Sequence, residues 1–262
     1  MAFVAAQALL MQRILFQWGP VTVYTYGVML VAAFLTATWV ASRAAQRLPP
    51  GRAVLSSSQI VDLFCLVMLS GVLGARLFFV AQHWKVYLHQ PQEIPAIWHG
   101  GLVWYGGFLG GLASIVFYLR LHRISLLRGM DQVAPFVALG HGIGRIGCFL
   151  NGCCYGKVSH AWCSVTGADG QPRLPTQLLE SASLFVLYLV LRRLQERRAS
   201  APAGWLSGVY LMSYAVIRMG IEFLRGDQVV VWAGLTLQQL LSIGVLFAGV
   251  TLVRPRQRNH GA

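Results

Sequence analysis

Apolar residues run through this chain in long, unbroken stretches separated by short basic clusters. Continuous runs of about 20 apolar residues predict membrane-spanning helices; the strands of an outer-membrane barrel would alternate with polar positions. Seven spans are expected, at about Val21–Ala41, Ser58–Gln82, His99–Leu119, Gln132–Leu150, Thr176–Leu191, Trp205–Leu224 and Leu235–Val253. Residues 1–20 read as an interfacial amphipathic arm with Trp18 at headgroup level, because Arg13 alone does not make the basic start of a cleaved signal peptide. Residues 151–175 are polar and too long for a tight turn, which predicts a small structured cap. The expected organisation is one integral membrane domain of all-α class: the arm over 1–20, helices one to four over 21–150, the cap over 151–175, and helices five to seven with a basic tail over 176–262.

Composition agrees with a polytopic membrane protein and excludes an ordinary soluble domain: 56% of residues are apolar, only 11% are charged, and the mean hydropathy is +0.59. The net charge of +13 would suit a nucleic-acid partner if it lay on one soluble surface. It is spread instead over four clusters between spans: Arg43, Arg47 and Arg52; Arg120, Arg123 and Arg128; Arg192, Arg193, Arg197 and Arg198; and Arg254, Arg256 and Arg258. The positive-inside rule places these on the cytoplasmic side, with the N-terminus outside, the C-terminus inside and the cap periplasmic. No nucleic-acid partner is expected, and membrane lipids are.

Polar residues inside the apolar runs carry the chemistry. The stretch Gly140–Gly156, GHGIGRIGCFLNGCCYG, holds six glycines, Arg145, Asn151 and three cysteines. Dense glycine lets another backbone or a ligand approach closely, and an intramembrane Arg persists only where it meets an anion. The structural reading is that Arg145 neutralises Glu222 or Asp131. Arg218 and Glu222 lie four apart on one helix face and can pair; Arg145 beside them leaves one positive charge over. Two guanidinium forks about one carboxylate suit a phosphodiester, which inside a bilayer points to a phospholipid. His99 suits a general base or a hydrogen-bond donor, Tyr26 an interface aromatic, and Asn151 a cap or turn. Arg76, late in span two, is expected near the far interface, snorkelling or on lipid phosphate.

Together, HGG at 99–101 with GG at 106–107, GRIG followed by F-x-N-G and Gly156, TYG at 25–27, and R-x-x-x-E-F-x-R-x-D from Arg218 to Asp227 followed by Gln238 or Gln239 resemble the prolipoprotein diacylglyceryl transferase family. The resemblance implies a seven-helix enzyme of the inner membrane with its site toward the outer leaflet. It implies transfer of diacylglycerol from phosphatidylglycerol to the lipobox cysteine in a prolipoprotein signal peptide, with release of glycerol phosphate. Arg145 and Arg218 would hold the phosphate, Glu222 would position Arg218, His99 and Tyr26 would border the reacting centre, and Gly144, Asn151 and Gly156 would shape the pocket. No cofactor and no metal are expected.

Where the family fingerprint reads G-R-x-G-N-F-x-N-G-E, this chain has Cys148 for the Asn and Cys153 for the Glu. Either another residue fills the missing carboxylate's role, the favoured reading, or the activity has changed. For the cysteines three readings stand: a disulfide of Cys153 or Cys154 with Cys163 on an oxidising face, a Cys/His metal site with His160 that lacks the usual C-x-x-C spacing, or free packing thiols. The alternative functions are a membrane thiol protein built on Cys148, Cys153, Cys154 and Cys163, in which the arginines only bind lipid, and an Arg-lined anion channel or transporter, disfavoured because no line of polar residues crosses the spans.

Overall fold

The structure is a computed structural model that describes residues 13–19, 21–48, 53–167, 169–198 and 201–254. The interfacial arm lies outside the described residues up to position 12. From Ile14 the chain forms a β-hairpin, β1 (Ile14–Trp18) paired antiparallel with β2 (Val21–Tyr24), turning at Gly19 with φ +56°. The first helix therefore starts four residues later than the apolar run predicts, at Thr25, because Val21–Tyr24 spends its backbone groups on β1.

The helices are α1 (Thr25–Gln46), α2 (Ser57–Gln82), α3 (Trp84–His89), α4 (Trp104–Leu121), α5 (Leu126–Leu150), α6 (Thr176–Arg197), α7 (Trp205–Leu224) and α8 (Leu237–Val253). Two further ribbons, β3 (Val165–Thr166) with β4 (Pro172–Arg173) and β5 (Val230–Trp232) with β6 (Leu235–Thr236), qualify the all-α expectation. Among the described residues, three helices, α1, α2 and α5, are long and apolar enough to cross a membrane, and α8 is apolar but 17 residues long. On α2, Leu69, Leu73 and Leu77 recur every fourth residue at 59%, 63% and 64% exposure. Such a stripe is costly in water and ordinary against acyl chains, in keeping with a multi-pass membrane protein.

The chain divides into two compact units. One comprises Ile14–Tyr24 and Phe34–Gly129. Here α2 and α4 meet along glycines: a Cβ on Gly74 would strike the Gly106 carbonyl, one on Gly106 the Gly74 carbonyl, and one on Gly110 the Ser70 carbonyl. Backbones touch where side chains are missing, which is how helices pack tightly without a hydrophobic drive. The HGG segment does not belong to α4. His99 ends a 3₁₀ turn (Ile97–His99), and Gly100 and Gly101, with φ +86° and +77°, reverse the chain before α4 begins at Trp104.

Arg76 does not snorkel outward. It is 6% exposed and donates to four backbone carbonyls, those of Glu93 (2.5 Å), Ile94 (2.8 Å), Gly100 (2.7 Å) and Gly101 (3.2 Å). Its forked donors match carbonyls of a loop whose short 3₁₀ turns leave most of them without a backbone partner.

The second unit contains Thr25–Ala33 and the chain from Met130 onward. Ala138, Leu184, Leu187, Leu191 and Leu206 are its buried core. Asp131 accepts from the Gly204 and Ser207 amides (2.7 and 2.8 Å) and from Ser207 Oγ (2.7 Å), placing a carboxylate at the amino end of α7. Asp131 is thus engaged there and does not pair with Arg145. Gly208 and Gly249 let α7 and α8 approach as closely as α2 and α4 do.

Candidate active site

Glu180, in the second turn of α6 and 1% exposed, is the centre of this unit's charge cluster. Its Oε2 accepts from Arg145 Nη2 of α5 at 2.5 Å and lies 3.7 Å from Arg218 Nη1 of α7, while Oε1 is 3.9 Å from His141 Nε2. Arg218 also pairs through Nη2 with Glu222 Oε2 at 2.7 Å, one turn along α7. Glu222 Oε1 accepts from Thr236 Oγ1 at 2.6 Å. That Thr236 also caps α8 in a reciprocal box with Gln239. Three helices and a cap residue are therefore joined through two carboxylates.

The sequence expectation of one carboxylate and one surplus positive charge is corrected here. Arg145 and Arg218 are matched by Glu180 and Glu222, so the cluster is formally neutral, as burial away from water requires. The missed residue left a signal: Glu180 is an acid inside the apolar run TQLLESASLFVL, and such acids face partners. Among the described residues, the buried guanidinium donors Arg145 Nε and Arg218 Nη1 have no hydrogen-bond partner. The guanidiniums are thus held by carboxylates while keeping unused donor capacity.

The glycine-rich segment builds the surroundings. The Gly147 Cβ position would lie 2.8 Å from Met29 and 3.5 Å from Tyr26, so the first turns of α1 pack directly on α5 beside Arg145. Gly144 opens onto empty space. Gly156 packs against the end of the cap: a Cβ there would meet the Leu174 carbonyl at 2.5 Å, and its own carbonyl accepts from Arg173 Nη1. Asn151 forms the turn that ends α5, its amide donating to the Gly147 carbonyl at 2.9 Å.

The cap over 151–175 is stitched to both neighbouring helices. Thr176 Oγ1 and Gln177 Nε2 of α6 donate to the Cys154 and Cys153 carbonyls (2.9 and 2.6 Å), and the Lys157 amide donates to Leu224 at the end of α7 (2.9 Å).

All five cysteines are free. The expected link of Cys153 or Cys154 to Cys163 does not form. Cys153 and Cys154 turn toward Cys148 instead, and these three sulfurs lie within 4.8 Å of one another. His99 belongs to the first unit described, where it is half exposed and its Nδ1 meets Glu93 Oε2 at 2.7 Å.

A family model described as prolipoprotein diacylglyceryl transferase matches residues 13–254. The chain belongs to that family. It is similar to the phosphatidylglycerol–prolipoprotein diacylglyceryl transferases of Parasynechococcus marenigrum (strain WH8102), with 37% identity over 90% of both chains, and Dechloromonas aromatica (strain RCB), with 35% identity over 91% of this chain and 92% of that one. The one from Streptococcus uberis (strain ATCC BAA-854 / 0140J) shares 29% identity over 94% and 95%. In this member of the family, with Cys153 at the position of the fingerprint's Glu, the carboxylate on Arg145 is Glu180.

Proposed function

We propose that this protein transfers the diacylglyceryl group of phosphatidylglycerol to the lipobox cysteine of a prolipoprotein, forming a thioether and releasing glycerol phosphate. The observation that carries the chemistry is the convergence of Arg145 and Arg218, from different helices, on Glu180 with one buried donor left free on each. In the reaction the cysteine sulfur forms a bond to the glycerol carbon as that carbon's bond to the phosphate oxygen breaks. The electron pair leaves with the phosphate, and the thiol proton passes to a base. Charge therefore grows on the phosphate monoester in the transition state, where two fixed guanidiniums stabilise it more than in the ground state. Glu180 and Glu222 keep both guanidiniums oriented without reorganisation. On the resemblance alone, His99 and Tyr26 border the reacting centre.

The arginine clusters support seven spans in an inner membrane, with the N-terminus and the 151–175 cap outside and the basic tail inside. The names of the relatives support the donor and acceptor. No specific observation favours a membrane thiol protein in place of the transferase. The test is transfer of labelled glycerolipid from phosphatidylglycerol to a lipobox peptide. Arg145→Ala and Arg218→Ala should each lower transfer by about 100-fold or more, and unchanged transfer in both refutes the mechanism.

A further inference from the structure

We propose that Cys148, Cys153 and Cys154 form a binding site for one Cu(I) ion, held by three sulfurs. The sequence expectation of no metal rests on spacing, since the usual C-x-x-C pairs are missing. The fold supplies what the spacing lacks. Cys148 lies buried in the last turn of α5, and the chain reverses through Gly152 (φ +68°) and Cys154 (φ +62°) to return two further sulfurs to it.

A left-handed conformation at a residue with a Cβ costs on the order of 1–3 kcal/mol and persists where the surroundings enforce it. Here they do, because α6 grips the Cys153 and Cys154 carbonyls through Gln177 and Thr176. With sulfur about 2.3 Å from a bound ion, three ligands around one cation are about 4 Å apart. The observed upper separation of 4.8 Å lies close to that spacing.

Soft thiolates select Cu(I) or zinc. Structural zinc takes four ligands, and among the described residues no fourth His, Cys, Asp or Glu joins this group. Three-coordination suits Cu(I). Binding displaces up to three thiol protons to solvent with no change of oxidation state and leaves a complex of net charge −2. Arg145 Nη1, 3.6 Å from Cys148 Sγ, faces that charge.

The experiment uses the reduced, full-length protein in detergent, titrated without oxygen with Cu(I) as its bicinchoninate complex. One Cu(I) per chain should leave the chelator, and copper-edge X-ray absorption of the wild-type protein should read three sulfur neighbours. Cys153→Ser and Cys154→Ser should each weaken binding by at least about tenfold, and Cys163→Ser should not. The absorption measurement needs no variant to fold. No uptake, fewer than three sulfurs, loss of binding in Cys163→Ser, or one-to-one retention of Zn(II) without Cu(I) overturns the proposal. Transfer activity does not enter these readouts, so their failure leaves the proposed reaction standing.

Discussion

Replacing Glu180 by Gln keeps the shape of the residue and removes the charge that joins Arg145 to Arg218. Two buried guanidiniums are then left to one carboxylate, Glu222, which reaches only Arg218. A unit-charge pair at about 4 Å is worth about 4 kcal/mol at an effective dielectric constant of about 20, and stripping a buried charge of its partner costs about 3–5 kcal/mol. The variant should therefore unfold with about that much less stability, read from tryptophan fluorescence on heating in neutral detergent. Adding phosphatidylglycerol supplies a phosphodiester where the carboxylate was. It should raise the midpoint of Glu180→Gln more than that of the wild type, since saturation at about 100 times Kd adds about 2.7 kcal/mol and the unpaired arginines lower Kd. Transfer to a lipobox peptide should fall by about 100-fold or more, as about 3 kcal/mol of misplaced transition-state stabilisation requires. Wild-type stability in Glu180→Gln, or equal lipid-induced shifts in the two proteins, would refute the view that Glu180 holds these arginines ready for phosphate.

Arg76→Met should strand the Ile94, Gly100 and Gly101 carbonyls of the 93–101 loop, costing about 3 kcal/mol or more, and amide exchange across residues 91–101 should accelerate; unchanged exchange would show that the loop holds itself. Gly106→Ala, whose Cβ strikes the Gly74 carbonyl, should destabilise by about 1–3 kcal/mol, while Gly220→Ala, which meets nothing within 4 Å, should not; equal melting of the two would remove the close helix contact from the account. In the cap, the Arg173 guanidinium donating to Asp169 holds that carboxyl below its usual range. A depressed value means that the contribution is present above the ordinary Asp value of about 3.9 and is lost as pH falls through the folded one. Pepsin should therefore spare residues 165–173 near that ordinary value and cut them at lower pH, whereas Asp169→Asn is cut alike at both; identical profiles would dismiss the pair as a cap clasp.

Much of the candidate site was legible because intramembrane charges are rare enough to stand out. Arg145, Arg218 and Glu222 could be picked from the chain on cost alone. Glu180 obeys the same rule and was passed over because its partners lie 35 and 38 positions away along the chain, on α5 and α7, where no local spacing points to them. Arg76 misled for a related reason: a lone Arg near the end of an apolar run looks alike whether it meets lipid phosphate or backbone carbonyls. The hairpin Ile14–Tyr24 hid in an apolar stretch, since apolarity reports a greasy environment and not which partner satisfies the backbone.

By itself the sequence determined that the chain is a helical, multi-pass membrane protein, because the transfer of long apolar runs and charged clusters between water and lipid depends on composition and order alone. It also carried the motifs that mark the family. Only the tertiary structure decided that both arginines share Glu180, that three cysteines face one another and that Arg76 ties a loop. Those are contacts between residues remote in the chain, and their energies depend on distance and burial, which no linear pattern encodes.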